Sequence, residues 1–330
     1  MLHWNQLGLH TLASNPPFVW RVSFEAQECA QFGPGGDTLI PGTFDYLVAW
    51  NLDEAVALLD RHGGDAKILA GGQSLIPLMR FRMAGPSILI DINRIDSLEY
   101  IQETDGTLHI GALTREAALD NSPLIRERYP ILLDTSSVVA DPVVRNWATV
   151  GGNIAHADPA NDHPATMLAL GARIVARGPA GERVLSIDEF FTDAPFETAL
   201  APNEVLTEIR IPAPVERSGG AYFKLERKVG DYAIAGVAAY IVLDGSGNVS
   251  YAGIGLTNLA QVPIKARNAE QSLLGKPLDD AAIHAAADLA AAATHPTSDT
   301  RGPADYKRAM ARTLTVRALR KALARATGGE

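Results

Sequence analysis

The chain is 330 residues long, 47% hydrophobic and 20% charged, with 29 Gly and 20 Pro; this length fits two or three domains and excludes a disordered or collagen-like chain. Basic residues number 29 against 38 acids, a net charge of −9, which argues against nucleic acid as a partner. The single cysteine, Cys29, excludes an intrachain disulfide framework and a cysteine-ligated zinc or iron–sulfur site built from this chain alone, so redox chemistry would need an organic carrier.

Residues 1–39 differ in character from the rest of the chain. They hold Trp4, Trp20, Cys29, a Pro16-Pro17 step and a Gly33-Pro34-Gly35-Gly36 breaker, with no amphipathic period. The segment lacks the charged start and apolar run of a secretory signal. No apolar stretch approaches the roughly 18 residues of a membrane-spanning helix. The expected location is therefore the cytoplasm, with no integral membrane segment.

From Ile40 the signals are regular. Helical spacing over Asp53–His62 ends at Gly63-Gly64, and Lys67–Ala70 reads as a strand. Ser74 is placed to cap a helix that tolerates Pro77 in its first turn, and Ile88–Ile92 is the next strand. Leu108–Ala112 reads as a strand, and Thr114 is expected to cap the helix through Leu119. Strand-like alternation comes next at Ala172–Ala176 and Val205–Ile211, with a boundary at Pro212, Pro214 and Gly219-Gly220. Three antiparallel strands are expected over 221–228, 233–243 and 249–256, the last two joined by a turn at Asp244-Gly-Ser-Gly247. Alanine-rich helices close the chain at 279–293 and 303–326. The second carries Lys307, Arg308, Arg312, Arg317, Arg320, Lys321 and Arg325 against Asp305, which reads as a solvated basic face or, alternatively, a docking surface.

Two glycine pairs carry chemistry. In Ala70-Gly71-Gly72-Gln73-Ser74 a strand runs into two glycines and a hydroxyl, and glycine lets backbone N–H groups approach an anion closely. Thr149-Val150-Gly151-Gly152-Asn153 repeats the pattern with a hydroxyl and an amide. Singly, each is an ordinary tight turn; together they fit a diphosphate gripped from two sides. Neither matches G-x-G-x-x-G or a P-loop. The adjoining His156-Ala-Asp-Pro-Ala-Asn-Asp-His163 segment has no metal-ligand spacing, and Asp162 is expected to cap the helix through Leu170 while its carboxylate meets a ligand hydroxyl or its own backbone.

These two loops and Lys224-Leu-Glu-Arg-Lys-Val-Gly-Asp-Tyr232-Ala-Ile-Ala occur in this order, and over about 40–326 the chain resembles the FAD-binding medium subunit of molybdenum hydroxylases, closest to the aerobic carbon monoxide dehydrogenase branch. The resemblance implies an α+β fold: a two-lobed FAD-binding domain of the vanillyl-alcohol-oxidase/PCMH type, with lobes at 40–96 and 97–215, then a smaller C-terminal domain of antiparallel strands and helices at 219–326. Residues 1–39 are then an extension outside that fold, upstream of a native start near Leu39. Each glycine loop would hold the FAD diphosphate from its own lobe. Asp162 matches an acidic FAD contact, Leu206 an apolar one, Lys224 a base near the flavin, and Tyr232 a tyrosine beside the ring. On the residues alone, Leu206 also reads as plain core and Tyr232 as a turn aromatic.

The implied role is electron exit. FAD is bound non-covalently, no residue of the chain is catalytic in its own right, and no metal is held. A molybdenum cofactor on a large subunit and [2Fe–2S] clusters on a small subunit belong to partners, in a dimer of heterotrimers. Two alternatives compete: a self-contained FAD oxidoreductase of the vanillyl-alcohol-oxidase type, and an assembly module without flavin.

Overall fold

The structure is a computed structural model that describes residues 40–329 and the backbone of 9–11 and 19–22. Cys29, the Pro-Pro step and the glycine-rich breaker lie outside the described residues. The chain divides into two compact units. The first comprises 1–98 with 176–182 and 200–205, and the second comprises 99–175, 183–199 and 206–330.

The first unit contains β1 (Leu9–Thr11), β2 (Val19–Val22), β3 (Phe44–Val48), α1 (Leu52–His62), β4 (Ala66–Leu69), α2 (Leu75–Arg80) and β5 (Ile88–Asp91). Its sheet has the order β1-β2-β3-β5-β4. β3 and β4 both run parallel to β5, whereas β2 pairs antiparallel with β3 and β1. Helix α1 starts where Asn51 Oδ1 accepts the Glu54 N–H at 2.9 Å, and Glu54 reaches back to accept the Trp50 N–H at 2.9 Å. Its Ala55, Val56, Leu58 and Leu59 are buried, and Gly63 ends it at φ 54°. Ser74 occupies the cap position of α2, but its hydroxyl makes no capping bond.

In the second unit the chain forms β6 (Ile101–Thr104), β7 (Thr107–Gly111), α3 (Glu116–Asn121), α4 (Pro123–Arg128), α5 (Pro130–Ser136), α6 (Pro142–Arg145), α7 (Val150–His156) and α8 (His163–Leu170). The strands β8 (Arg173–Gly178), β9 (Gly181–Ser186) and β10 (Val205–Pro212) complete a sheet of order β6-β7-β10-β8-β9. Thr114 does not cap α3, which starts two residues later. Its hydroxyl donates to the Tyr100 carbonyl at 2.8 Å, a bond to the neighbouring segment that competes with a helix cap. The second glycine pair, expected as a loop, forms the first turn of α7 instead, because Thr149 Oγ1 accepts the Gly152 N–H at 3.2 Å and starts a helix there.

The C-terminal part contains β11 (Ser218–Leu225), β12 (Ala235–Leu243), β13 (Val249–Thr257), β14 (Ile264–Lys265), α9 (Arg267–Leu273), α10 (Asp280–Ala292) and α11 (Ala304–Ala326). The four strands form an antiparallel sheet in chain order. β11 stops at Leu225, earlier than expected, because the chain turns back through Gly230 at φ 80° and Ile234 donates to Leu225. One face of the sheet (Val237, Ala239, Ile241, Ile254, Leu256) buries against Ile283, Ala287, Leu314, Ala318 and Leu319 of α10 and α11. The opposite face offers Gly253 and Gly255, and there α8, buried along its whole length, is seated.

The basic face of α11 is not simply solvated. Arg312 pairs with Asp288 and Arg320 with Asp280 of α10, each at 2.5 Å, while Lys307, 1% exposed, reaches Asp299 at 2.7 Å. Arg325 donates to Asp134 of α5 and to the Gly220 carbonyl. The acids that balance this helix lie elsewhere in the sequence, so the helix alone reads as more basic than it is in the fold.

Candidate functional site

In the first unit, β4 delivers the chain into Ala70–Ser74. Gly72 sits at φ 72°, a left-handed conformation that glycine adopts without the Cβ penalty of other residues. The loop is fixed from behind: Asn93 Nδ2 donates to the Ala70 carbonyl at 2.8 Å and to Asp91 Oδ1 at 2.6 Å. Asp91 in turn accepts the Tyr46 hydroxyl, and this bond and burial raise the tyrosine pKa, burial being the larger cause. Gln73 Nε2 donates to the Gly71 carbonyl at 3.0 Å. The N–H groups of Gly71, Gly72, Gln73 and Ser74 find no acceptor among the described residues. Four successive donors of this kind are the chemistry of an anion cradle.

The second glycine pair differs. In the second unit, the Val150 N–H donates to Thr114, that of Gly151 to Ala112, that of Gly152 to Thr149 Oγ1 and that of Asn153 to the Thr149 carbonyl, at 2.9–3.2 Å. Its backbone donors are therefore engaged within the fold, contrary to the expected cradle. Gly151 is required for packing: a Cβ there would come within 2.6 Å of the Ala112 carbonyl oxygen at the end of β7. What the segment offers a ligand is side chains. Asn153 Oδ1 is buried and without a partner among the described residues, an orphan acceptor of the kind that a bound group satisfies.

Asp162 stands at the cap position of α8 but caps nothing; contrary to expectation, its carboxylate is turned to β11. Oδ1 accepts the Tyr222 hydroxyl at 2.5 Å and Oδ2 accepts the Lys224 ammonium at 3.0 Å. The Lys224 side chain, 2% exposed, also donates to the Val138 carbonyl at 2.8 Å and lies 3.3 Å from Glu226 Oε2. Complete burial pushes the Asp162 carboxyl up from its ordinary range, against the lowering pull of Lys224 and Tyr222. Two predicted residues thus meet in one buried network, with Tyr222 as a third member that no sequence motif marked.

Leu206 is buried near the start of β10, whose next residue, Thr207, accepts the Ala112 N–H at 2.9 Å. It therefore lies at the end of the sheet on which Gly151 packs. Tyr232 is 43% exposed, with the Arg301 guanidinium 5.5 Å from its ring centroid. Burial raises its hydroxyl pKa, followed by the charges of Asp158 and, opposed by Arg301, of Asp162 and Asp231. The phenol is neutral at ordinary pH.

The loop between α7 and α8 is clamped on both sides. Asn161 Nδ2 donates to the Asn153 carbonyl at 2.9 Å, and the Thr257 hydroxyl of β13 donates to the Asn161 carbonyl. Behind it, His163 Nε2 and Glu116 Oε2 pair at 2.7 Å with both side chains fully buried. The two histidines and two aspartates of 156–163 do not converge, and among the described residues no group of His, Cys, Asp or Glu is arranged to hold a metal. Among the same residues no helix is long and apolar enough to cross a membrane. Asn93, Tyr222 and Glu116 carry no sequence motif that marks them, and Asn161 and His163 stand in the 156–163 segment only as part of a cluster without metal-ligand spacing. Only Asn161 and His163 adjoin a predicted residue, and the partners that give them meaning are distant in the chain.

Residues 42–214 match the family model of the FAD-binding domain in molybdopterin dehydrogenase, and 220–322 match that of the CO dehydrogenase flavoprotein C-terminal domain. The chain is 48% identical over 288 residues to a carbon monoxide dehydrogenase medium chain of Hydrogenophaga pseudoflava, covering 87% of this chain and 99% of the relative. Identity to the corresponding medium chain of Afipia carboxidovorans is 45%, with the same coverage. A solved structure of carbon monoxide dehydrogenase from Hydrogenophaga pseudoflava superposes with a TM-score of 0.84 at 48% identity, covering 87% of this chain and 99% of that one.

Proposed function

We propose, since the chain belongs to the family of FAD-binding domains in molybdopterin dehydrogenases and is the medium, FAD-binding subunit of a carbon monoxide dehydrogenase-like molybdenum hydroxylase, that it is the electron exit of that complex. The partners in this reading are a small subunit with [2Fe–2S] clusters and a large subunit with the molybdenum cofactor, assembled in the cytoplasm as a dimer of heterotrimers. When bound non-covalently, FAD supplies the electron chemistry, accepting electrons from a partner cluster and yielding them to an external acceptor.

The chain's own residues bind and orient. The observation that carries the reading is the row of unclaimed N–H groups at Gly71, Gly72, Gln73 and Ser74, which suits the oxygens of a diphosphate. In the second unit, taken by itself, Thr149 offers a hydroxyl and Asn153 an orphan amide oxygen that accepts from a ligand N–H or O–H. Leu206 supplies apolar surface and Tyr232 a half-exposed aromatic face. Lys224 and Asp162 hold each other, so they act chiefly by fixing β11 against the start of α8.

The test is titration of the purified chain with FAD, followed by co-purification from the native source. A yellow protein absorbing at about 450 nm that oxidises no substrate alone, and that co-purifies with molybdenum- and iron–sulfur-containing partners, is the expected outcome. Substrate turnover by the single chain would refute the reading.

A further inference from the structure

We propose that the buried Glu116–His163 pair is a positioning element of the cofactor site, locking the segment that carries Thr149–Asn153 to the helix that follows Asp162. The inference rests on the reading that these residues line the FAD site.

Glu116 is not merely near the second glycine pair. Its own N–H donates to the Ala148 carbonyl at 3.0 Å, and Arg115 and Thr149 form a β-bridge. Two residues earlier, Thr114 accepts the Val150 N–H at 2.9 Å. Residues 114–116 are thus laced to 148–150 by backbone bonds. From that segment the Glu116 carboxylate reaches His163, the first residue of α8, at 2.7 Å. Adjacent Asp162 is held by Tyr222 and Lys224 of β11. One ion pair therefore joins the backbone frame of Thr149–Asn153 to the Asp162 network.

The pair is isolated from water, both side chains being 0% exposed, and each partner keeps one atom (Glu116 Oε1 and His163 Nδ1) without a partner among the described residues. Nothing in reach replaces the bond if it breaks, so removing one side leaves a buried charge. Burial by itself would lower the imidazole pKa. The charge and hydrogen bond of Glu116, then the charges of Asp162 and Asp120, outweigh it and raise the pKa. Asp120 is itself paired with Arg145 of α6 at 3.1 Å, and α5 faces α8 with the neutral Thr135 hydroxyl on Thr166. A raised histidine pKa means that the charged pair is present below it and is lost as pH rises through it.

The experiment is FAD titration of the full chain, read by flavin fluorescence from about pH 5.5 to about pH 9, the range in which an imidazole titrates. Wild type is compared with Glu116→Gln, His163→Gln and, as a direct-contact control, Asn153→Ala. Wild-type affinity is expected to fall as pH rises through the His163 titration. Glu116→Gln moves that fall to lower pH and weakens binding about tenfold at pH 6, the size of coupling expected for a contacting buried pair. His163→Gln removes the fall, whereas Asn153→Ala weakens binding at every pH without moving it. Unaltered affinity and pH profile in both pair variants would overturn the inference. Where those variants do not fold, Glu116→Asp, which keeps the charge but shortens the reach to His163, replaces them, and unaltered affinity in it overturns the inference equally. Failure of wild type to bind FAD at any pH is a different result, and it removes the functional reading itself.

Discussion

Gly255 of β13 lies directly against the backbone of Ala165 in α8, so close that a Cβ at position 255 would overlap the Ala165 carbonyl oxygen. Gly253 meets Ala169 in the same way one helical turn further along. Helix and sheet are in backbone contact, which leaves no room for a methyl group. Gly255→Ala is expected to destabilise the second unit by about 1–3 kcal/mol or more, the usual cost of forced overpacking. Urea unfolding followed by far-UV circular dichroism measures this. An unchanged midpoint would mean that α8 is not seated as described.

Lys224 and Asp162 make a second prediction. Lys224→Met leaves the Asp162 carboxylate buried without its counter-charge and should cost about 3–5 kcal/mol, as when one side of a buried ion pair is removed. Replacing both, Lys224→Met with Asp162→Asn, should recover much of that loss. A double variant no more stable than the single one would show that the pair is not the source of the effect.

The first loop is tested at Gly72. Its φ of 72° and the side chains of Ile76 and Leu69 within 3.2–3.3 Å of a would-be Cβ make Gly72→Val doubly unfavourable. Apart from a local cost of about 1–2 kcal/mol for a left-handed non-glycine residue, the N–H groups would be turned from their direction. FAD affinity is expected to drop at least about tenfold, the loss of one charge-assisted hydrogen bond. Fluorescence titration gives the affinity and thermal unfolding without FAD separates the two effects.

Glu208 governs an acid limb. Burial pushes its carboxyl up, but bonds from Tyr100, Arg210 and His109 bring the net pKa below the ordinary 4.5. A depressed carboxylate contributes stability that is present above its unfolded value and is lost as pH falls through the folded one. Stability should therefore decline below about pH 4.5, and Glu208→Gln should make that decline shallower. Unfolding midpoints measured stepwise from neutral pH downward check it.

Much of this architecture was legible in local signals. The strands expected over 233–243 and 249–256 and found at Ala235–Leu243 and Val249–Thr257, the alanine-rich helices α10 and α11, and the Asp244–Gly247 turn required only short-range patterns. So did the two glycine pairs on which the proposed site is built. Their difference was not legible, because whether an N–H is engaged depends on partners such as Thr114 and Ala112, well over thirty residues away for Gly151. The same holds for Glu116 and His163, separated by 47 positions. The short helices α4 and α6 went unread, although Ser122 before Pro123 and Asp141 before Pro142 start them, each side chain accepting from the first turn.

Arg325 closes a distance of 191 residues to Asp134, and Gly219 packs its backbone on Ala322 of the same helix. During synthesis, α5 and β11 emerge long before the helix that neutralises Asp134 and covers β11. Until that helix arrives, the acid has no arginine partner and the Gly219–Gly220 stretch of the strand lies open. The second unit thus cannot reach its native state piece by piece from its start. Its completion waits on its last helix, and the time between the two is when a folding chaperone or a misplaced strand has access to β11.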